Sequence, residues 1–174
     1  MYRYFADVGD IYERRLFSTP ILNEIMRQFS GKIKGTNKYK FVAFSSHDTT
    51  LFPLISALNF SSWECLLENY RRNSTSALNC EDYPGFTSNI ILELYKEGKE
   101  YYVQAMFNGK KMYLCDQKNY SCSFKEFSDR ISNFTVSDYR GICNGTIPYL
   151  PEFSFLLNFF SSFIVFAVFL IGFL

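Results

Sequence analysis

The sequence predicts an α/β domain followed by a hydrophobic C-terminal helix. Apolar residues recur at helical spacing near the N-terminus, a short apolar run precedes a second helical stretch, and the last 22 residues carry no charge. We assign the domain to residues 1–151 and the hydrophobic segment to residues 152–174. A chain of 174 residues is long enough to bury a sizeable core.

The first predicted element is a helix over 16–29. Its apolar residues lie three and four positions apart, which places them on one face of an amphipathic helix. A hydroxyl side chain just before Pro20 is expected to cap the start. The apolar positions are Leu22, Ile25, Met26 and Phe29, and the candidate caps are Ser18 and Thr19.

The next element is a short buried strand over Phe41 to Phe44, followed by a polar loop and a helix over Thr49 to Leu58. Pro53 is compatible with that helix near its first turn. A strand, a loop and a helix in this order place functional side chains at the carboxyl end of a parallel sheet.

The remaining domain is predicted to be a surface excursion, a set of strands and one more helix. Asn108-Gly109 is a strong turn signal, and residues 96–99 are expected to close a hairpin. In chain order, the excursion covers 59–84, the strands cover 89–95, 100–107 and 111–114, and the short helix covers 124–131.

The C-terminal segment from Phe153 to Leu174 predicts membrane attachment. About 20 apolar residues in a helix span the ~30 Å hydrocarbon core. No Lys or Arg follows the segment, so two forms stay open: a retained transmembrane helix, or a signal exchanged for a lipid anchor near Asn144-Gly145. A buried core helix is the less favoured interpretation, because the segment is apolar on every face. Membrane lipid is therefore an expected partner.

Five glycosylation patterns predict a lumenal or extracellular body in the secretory pathway, at the cell surface or in a lysosome-like compartment. The N-terminal Met1 to Asp10 has no apolar run long enough for a signal peptide, so we expect the true N-terminus to lie upstream. The acceptor positions are Asn59, Asn73, Asn119, Asn133 and Asn144.

The five cysteines favour an oxidising compartment. The close pairs Cys65–Cys80 and Cys115–Cys122 are expected to form disulfides, each stabilising a short loop by about 2–4 kcal/mol. Cys143 is left over, which predicts a partner outside these residues. With one histidine and no C-x-x-C pair, a zinc site is not expected, and neither is any other metal or cofactor.

Net charge excludes an obvious nucleic-acid partner, because 18 Lys and Arg nearly balance 17 Asp and Glu. The oligomeric state is not indicated by the sequence.

The candidate site is His47-Asp48, at the junction between the predicted strand and helix. Helix N-terminal N–H groups attract anions, an imidazole there can donate to phosphate oxygens, and a carboxyl group beside it can donate a proton to a leaving oxygen. A solitary histidine is more often structural or exposed, and Asp48 could equally be a helix N-cap. One carboxyl oxygen could cap the helix while the other faces a ligand.

The string FVAFSSHDTTLFPLISAL, over 41–58, is similar to the second signature of the histidine acid phosphatases. The order of other segments agrees from Tyr12 to Cys143, including Arg15-Leu16 before the motif and Tyr83-Pro84-Gly85-Phe86 after it. The resemblance implies that residues 1–151 are the C-terminal part of a Rossmann-like domain with a three-layer arrangement of sheet and helices.

The resemblance also implies phosphomonoester hydrolysis through a phosphohistidine, with His47 as a phosphate ligand and Asp48 as the proton donor. That family's nucleophilic histidine belongs to an R-H-G-x-R-x-P signature, which is absent from these 174 residues. We therefore expect an N-terminally truncated fragment that is inactive alone. The alternatives are a non-catalytic, membrane-attached surface glycoprotein built on half of the fold, and an unrelated membrane glycoprotein with an accidental HDTTL.

Overall fold

The computed structural model describes residues 11–72, 81, 83–116 and 118–145. The chain divides into two compact units between Ser137 and Asp138. The first unit contains helices α1 to α4 and strands β1 to β4, and the second contains α5. The helices are α1 (Ile11–Ile33), α2 (Asp48–Ala57), α3 (Trp63–Arg71), α4 (Phe124–Phe134) and α5 (Tyr139–Cys143); the strands are β1 (Ile90–Glu97), β2 (Glu100–Phe107), β3 (Lys110–Met112) and β4 (Ser121–Ser123).

Helix α1 is longer than predicted and runs through Pro20. The expected cap at Ser18 or Thr19 is wrong, because both side chains are buried within the helix. Ser18 Oγ donates to the carbonyl of Arg14 at 2.7 Å, and Thr19 Oγ1 donates to that of Arg15 at 2.6 Å. Hydroxyl side chains in the middle of a helix commonly donate a hydrogen bond to the carbonyl four residues earlier.

The predicted apolar face of α1 is confirmed. Leu22 is fully buried and Ile25 nearly so, while Met26 and Phe29 pack against the same core. This face therefore positions α1 against the rest of the first unit.

The predicted buried strand over 41–44 is wrong. Residues 40–46 lie in no strand or helix, and they make no backbone–backbone hydrogen bond within the described part of the chain. Phe41 is 81% exposed and Phe44 is 51% exposed. The run is irregular, exposed backbone, and no described strand pairs with it.

Helix α2 agrees with the prediction to within one residue at each end. Pro53 lies beyond the first turn and is buried, so it is part of the packed helix and not of its start. The opposite end of α2 is also buried, at Ala57 and Leu58.

The described sheet is antiparallel throughout, which differs from the parallel sheet expected beside 41–44. Strands β1 and β2 form the predicted hairpin, from Ile90 opposite Phe107 to Glu97 opposite Glu100. At its turn Gly98 has φ +62°, which glycine adopts without the steric cost that a Cβ brings. The Asn108-Gly109 turn to β3 is also confirmed, with both residues at positive φ.

One core joins the helices to one face of the sheet. Alternation along β2 buries every second residue, and these pack with the inner faces of α1, α2 and α4. The contributing residues include Val103, Ala105 and Phe107 from β2, Leu22 from α1, Ile55 and Leu58 from α2, and Phe127 and Ile131 from α4.

The excursion over 59–84 contains a helix, α3, that was not predicted. Ser62 caps it by accepting a hydrogen bond from the Cys65 N–H at 3.2 Å. Phe60 and Ser61 are buried, so the start of this region is not purely surface. The Ser62-x-Glu64 start and the basic Arg71 at the end are the signals that could have identified it.

A long-range contact fastens α1 to the end of α4. Arg15 Nε donates to the Phe134 carbonyl at 2.6 Å, and its Nη2 reaches the carbonyls of Asn133 and Thr135, each at 3.3 Å. Carbonyl groups in the last turn of a helix lack helical partners, and a guanidinium satisfies them well.

The predicted Cys115–Cys122 disulfide is present. Cys65 is also disulfide-bonded, and its predicted partner Cys80 lies outside the described residues. Cys143, in the second unit, is a free and exposed thiol among the described residues, and its predicted partner outside the chain stays a prediction.

Among the described residues, no helix is both long enough and apolar enough to cross a membrane. The segment over 153–174 lies outside them, so the membrane prediction concerns residues that the structure does not describe. Four predicted glycosylation positions are exposed, and Asn73 lies outside the described residues; the exposed ones are Asn59, Asn119, Asn133 and Asn144.

Candidate functional site

His47 lies at the start of α2, where it is the N-cap residue. Its backbone is extended, with φ −99° and ψ 169°, and its carbonyl accepts from the N–H groups of Thr50 and Leu51 at 3.0 Å each. The imidazole makes no capping hydrogen bond and the residue is exposed. The side chain is therefore available to a ligand at the helix end.

Asp48 is the first residue of α2 and not its N-cap, which corrects one alternative from the sequence. Its Oδ1 accepts from the Thr49 N–H at 2.9 Å. Its Oδ2 accepts from the Tyr83 hydroxyl at 3.0 Å. The two carboxyl oxygens therefore have different partners, one from the helix and one from a distant segment.

Tyr83 is a residue that the sequence did not assign to the site. Its ring packs on Phe52 with the centroids 5.2 Å apart, and Phe52 is only 2% exposed. Phe52 lies four residues after Asp48, so the two occupy the same face of α2. The one available signal was the sequence Tyr83-Pro84, because a residue before proline is held in extended backbone.

The helix end combines three properties that suit a phosphate ester. The start of α2 presents the positive end of the helix dipole to an anion. His47 can donate a hydrogen bond from its imidazole, and Asp48 can hold or release a proton. Such an arrangement can bind a phosphoryl group and protonate the oxygen that leaves it.

Arginines do not complete this site within the described residues. Each described arginine has a partner elsewhere: Arg14 pairs with Glu64, Arg15 with the end of α4, Arg27 with Glu24, Arg71 and Arg72 with Glu68, Arg130 with the Cys115 carbonyl and Arg140 with Tyr139. The N-terminal 1–10, including Arg3, lie outside the described part. A fixed cation for phosphate is therefore not provided by these side chains.

His47 and Asp48 at the start of α2 lie in a region that a known protein family shares. The chain belongs to the Histidine phosphatase superfamily (branch 2), which it matches over residues 1–108. The match contains α1, the His47-Asp48 junction, Tyr83 and the β1–β2 hairpin.

Curated relatives include proteins named as phosphatases. Counting factor 60 of Dictyostelium discoideum is 22% identical over 133 residues, 76% of this chain. Lysophosphatidic acid phosphatase type 6 of Mus musculus is 27% identical over 62% of the chain. 2-phosphoxylose phosphatase 1 of Xenopus tropicalis is 23% identical over 79% of the chain.

The matched regions are a minor part of these relatives. They span 27%, 22% and 29% of the three proteins in the same order. The chain therefore corresponds to roughly a quarter of the length of the relatives it matches.

Proposed function

We propose that this chain is the C-terminal portion of a histidine acid phosphatase that hydrolyses phosphomonoesters. His47 binds the phosphoryl group, and Asp48 donates a proton to the leaving alcohol. The nucleophilic histidine, which becomes the phosphohistidine, comes from a segment carrying the R-H-G-x-R-x-P signature. The chain alone is then catalytically inactive, because His47 is its single histidine.

The observation that carries this proposal is the geometry at the start of α2. An exposed imidazole and a carboxyl group with two defined hydrogen bonds stand side by side at the positive end of the α2 dipole. A structural histidine would be expected to have a partner or to be buried, and a purely capping aspartate would occupy the N-cap position, which His47 holds.

Exposure of the preceding segment supports the need for a second portion. Phe41 and Phe44 are exposed and lie in a segment without a paired strand in the described part of the chain. Exposed apolar side chains next to unpaired backbone are typical of a surface that another strand covers. The chain matches roughly a quarter of the length of its relatives, which is consistent with a second portion.

Binding of phosphate by this chain can be tested through its single histidine. A ¹H–¹⁵N spectrum of the side chain contains one imidazole, so no assignment problem arises. Inorganic phosphate or tungstate should shift the His47 ring signals saturably, and Asp48→Asn should leave that shift in place. Ring signals that respond to neither phosphate nor tungstate at any concentration would contradict the assignment of His47 to the phosphoryl group.

Catalysis can be tested in two forms of the protein. Alone, the chain should not hydrolyse an aryl phosphate at acidic pH. Joined to an N-terminal segment that carries R-H-G-x-R-x-P, it should turn over, and Asp48→Asn should lower kcat by about 10²–10⁴-fold with a smaller change in KM. His47→Ala should impair both parameters, since a phosphate ligand acts in ground and transition states.

The same experiments separate the alternative, a non-catalytic surface glycoprotein built on half of the fold. That alternative expects no turnover after the missing signature is supplied. Robust turnover by the chain alone, abolished by His47→Ala, would instead show that the proposed division of labour is wrong.

We further propose that the body is lumenal or extracellular, glycosylated, and attached to a membrane through 153–174. The exposed acceptor asparagines and the Cys115–Cys122 disulfide support an oxidising compartment. Glycosidase treatment should lower the apparent mass. Release from intact cells by a phosphatidylinositol-specific lipase would indicate a lipid anchor, and retention would indicate a transmembrane helix. An intact chain that is freely soluble would contradict both.

A further inference from the structure

We propose that Tyr83 is a positioning residue for the Asp48 carboxyl group, which it holds in the orientation needed for proton donation. The inference rests on the proposed function of Asp48 and adds a residue to the site. Its basis is the hydrogen bond from the Tyr83 hydroxyl to Asp48 Oδ2, 3.0 Å long, across 35 positions of sequence.

The carboxyl group is fixed from two directions. Oδ1 accepts from the Thr49 N–H at 2.9 Å, and Oδ2 accepts from Tyr83. With only the first contact, rotation about the Cα–Cβ bond of Asp48 would break a single hydrogen bond to the next residue. The second contact comes from another segment and selects one rotamer.

Tyr83 can select the rotamer because it is itself held in place. Its ring lies against Phe52, which is almost fully buried, and the next residue, Pro84, is buried too. The backbone before a proline is restricted to extended conformations. The hydroxyl therefore projects from a ring with little freedom.

The segment that carries Tyr83 is anchored to the opposite end of α2. The Glu81 N–H donates to the Phe60 carbonyl at 2.9 Å, and Ser61 Oγ donates to the Glu81 carbonyl at 2.6 Å. Glu81 also pairs with Lys110 of β3 at 2.5 Å. Tyr83 follows two residues after Glu81 and meets Asp48 at the N-terminal end of α2.

Positioning matters most for a proton donor, because proton transfer requires the donor oxygen to be within hydrogen-bond reach of the leaving oxygen. Displacement by about 1 Å can cost on the order of 10²-fold in rate. The effect should grow with the basicity of the leaving alcohol, since an alkoxide needs the proton and a nitrophenolate does not.

Tyr83→Phe tests the inference, because it removes the hydroxyl and keeps the ring on Phe52. In the full chain, the three-bond N–Cγ and C′–Cγ couplings of Asp48 should report one χ1 rotamer, and in Tyr83→Phe they should become averaged. Tyr95→Phe is the matched control: Tyr95 stacks on Tyr102 in the hairpin, with the ring centroids 5.8 Å apart, and its loss should not alter Asp48. Asp48 couplings that are the same in all three proteins would overturn the proposal.

The joined, two-segment protein supplies the second readout. Tyr83→Phe should lower kcat for an alkyl phosphate by about tenfold, a part of the 10²–10⁴ available to a general acid, with KM within about twofold. For p-nitrophenyl phosphate the loss should be less than about twofold. Equal losses on both esters would show a merely structural role and overturn the inference. Should no ester be turned over, the proposed function fails, and the Asp48 couplings still decide whether Tyr83 positions it.

Discussion

Strands were expected both in the β1–β2 hairpin and over residues 41–44, and only the hairpin contains them. The hairpin contains eight paired positions and buries Val103, Ala105 and Phe107 on its inner face. The segment 40–46 has irregular backbone, exposed phenylalanines and no paired strand in the described residues. A hairpin carries its partner in the adjacent sequence, whereas an isolated strand depends on a partner from elsewhere.

The largest difference should appear when one phenylalanine is removed from each region. Phe107→Ala should lower the free energy of unfolding by about 3–5 kcal/mol, because a buried ring leaves a cavity. Phe41→Ala should change it by less than about 0.5 kcal/mol, as for an exposed residue without special contacts. Urea denaturation of the two variants measures both values. A comparable loss in Phe41→Ala would mean that the segment is packed in solution.

Hydrogen exchange should sharpen the comparison at the level of single amides. The N–H groups of Val103 and Ala105 should exchange more slowly than those over 41–46 by on the order of 10³-fold or more, since a core strand opens only with much of the fold. Protection of 41–46 in the chain alone would show that a second strand already covers it. In the joined two-segment protein, we expect that protection to appear.

The turn between β1 and β2 should contribute less to stability than the buried phenylalanine does. Gly98→Ala should destabilise by about 1–2 kcal/mol, because its φ of +62° lies in the left-handed region. Gly85→Ala is the control, as nothing lies within 4 Å of the added Cβ and its φ is not positive. Thermal unfolding should separate the two variants, and equal midpoints would contradict a strained turn.

The smallest expected effect is a pH dependence of stability that arises from Glu24, in the helix before the unpaired segment 40–46. Hydrogen bonds from Arg27 and then Gln28 lower the pKa of Glu24 from 4.5 to about 2. A carboxyl group with a lowered pKa stabilises the fold above its unfolded pKa, and that contribution is lost as pH falls from about 4.5 through about 2. Asn37 Nδ2 donates to Gln28 Oε1 at 2.5 Å, so the same network reaches the loop before residue 40.

Glu24→Gln is the corresponding variant. At neutral pH its free energy of unfolding should be lower than that of the parent chain, and the two values should converge near pH 2. Urea denaturation at each pH measures both. A stability difference between the two proteins that does not change from pH 7 to pH 2 would contradict the network.

Local patterns predicted most of the described elements. The alternation in 100–107, the glycine turns and the three- and four-residue spacing from Leu22 to Phe29 gave the hairpin and the face of α1, because each depends on neighbouring residues. The start of α1 was missed because Ser18 and Thr19 satisfy their hydroxyls inside a helix as readily as at its end.

The candidate site was predicted in part for the same reason. His47 and Asp48 follow one another in sequence, so their place at the start of α2 could be read from a short motif. Tyr83 hydrogen-bonds to Asp48 across 35 residues, next to a backbone contact with Phe60, and no local sequence pattern predicts such a long-range contact. The prediction of a strand over 41–44 was wrong because strand pairing depends on two segments, and no described segment pairs with this one.

The contact of Arg15 with the end of α4 sets a minimum waiting time during synthesis on the ribosome. Its acceptor, the Phe134 carbonyl, is added 119 residues later. At about 5–20 residues per second, the guanidinium waits roughly 6–24 s for its partner. For that interval the apolar face of α1 has neither Phe127 nor Ile131 to pack against, and a nascent chain in this state presents the kind of surface that chaperones bind.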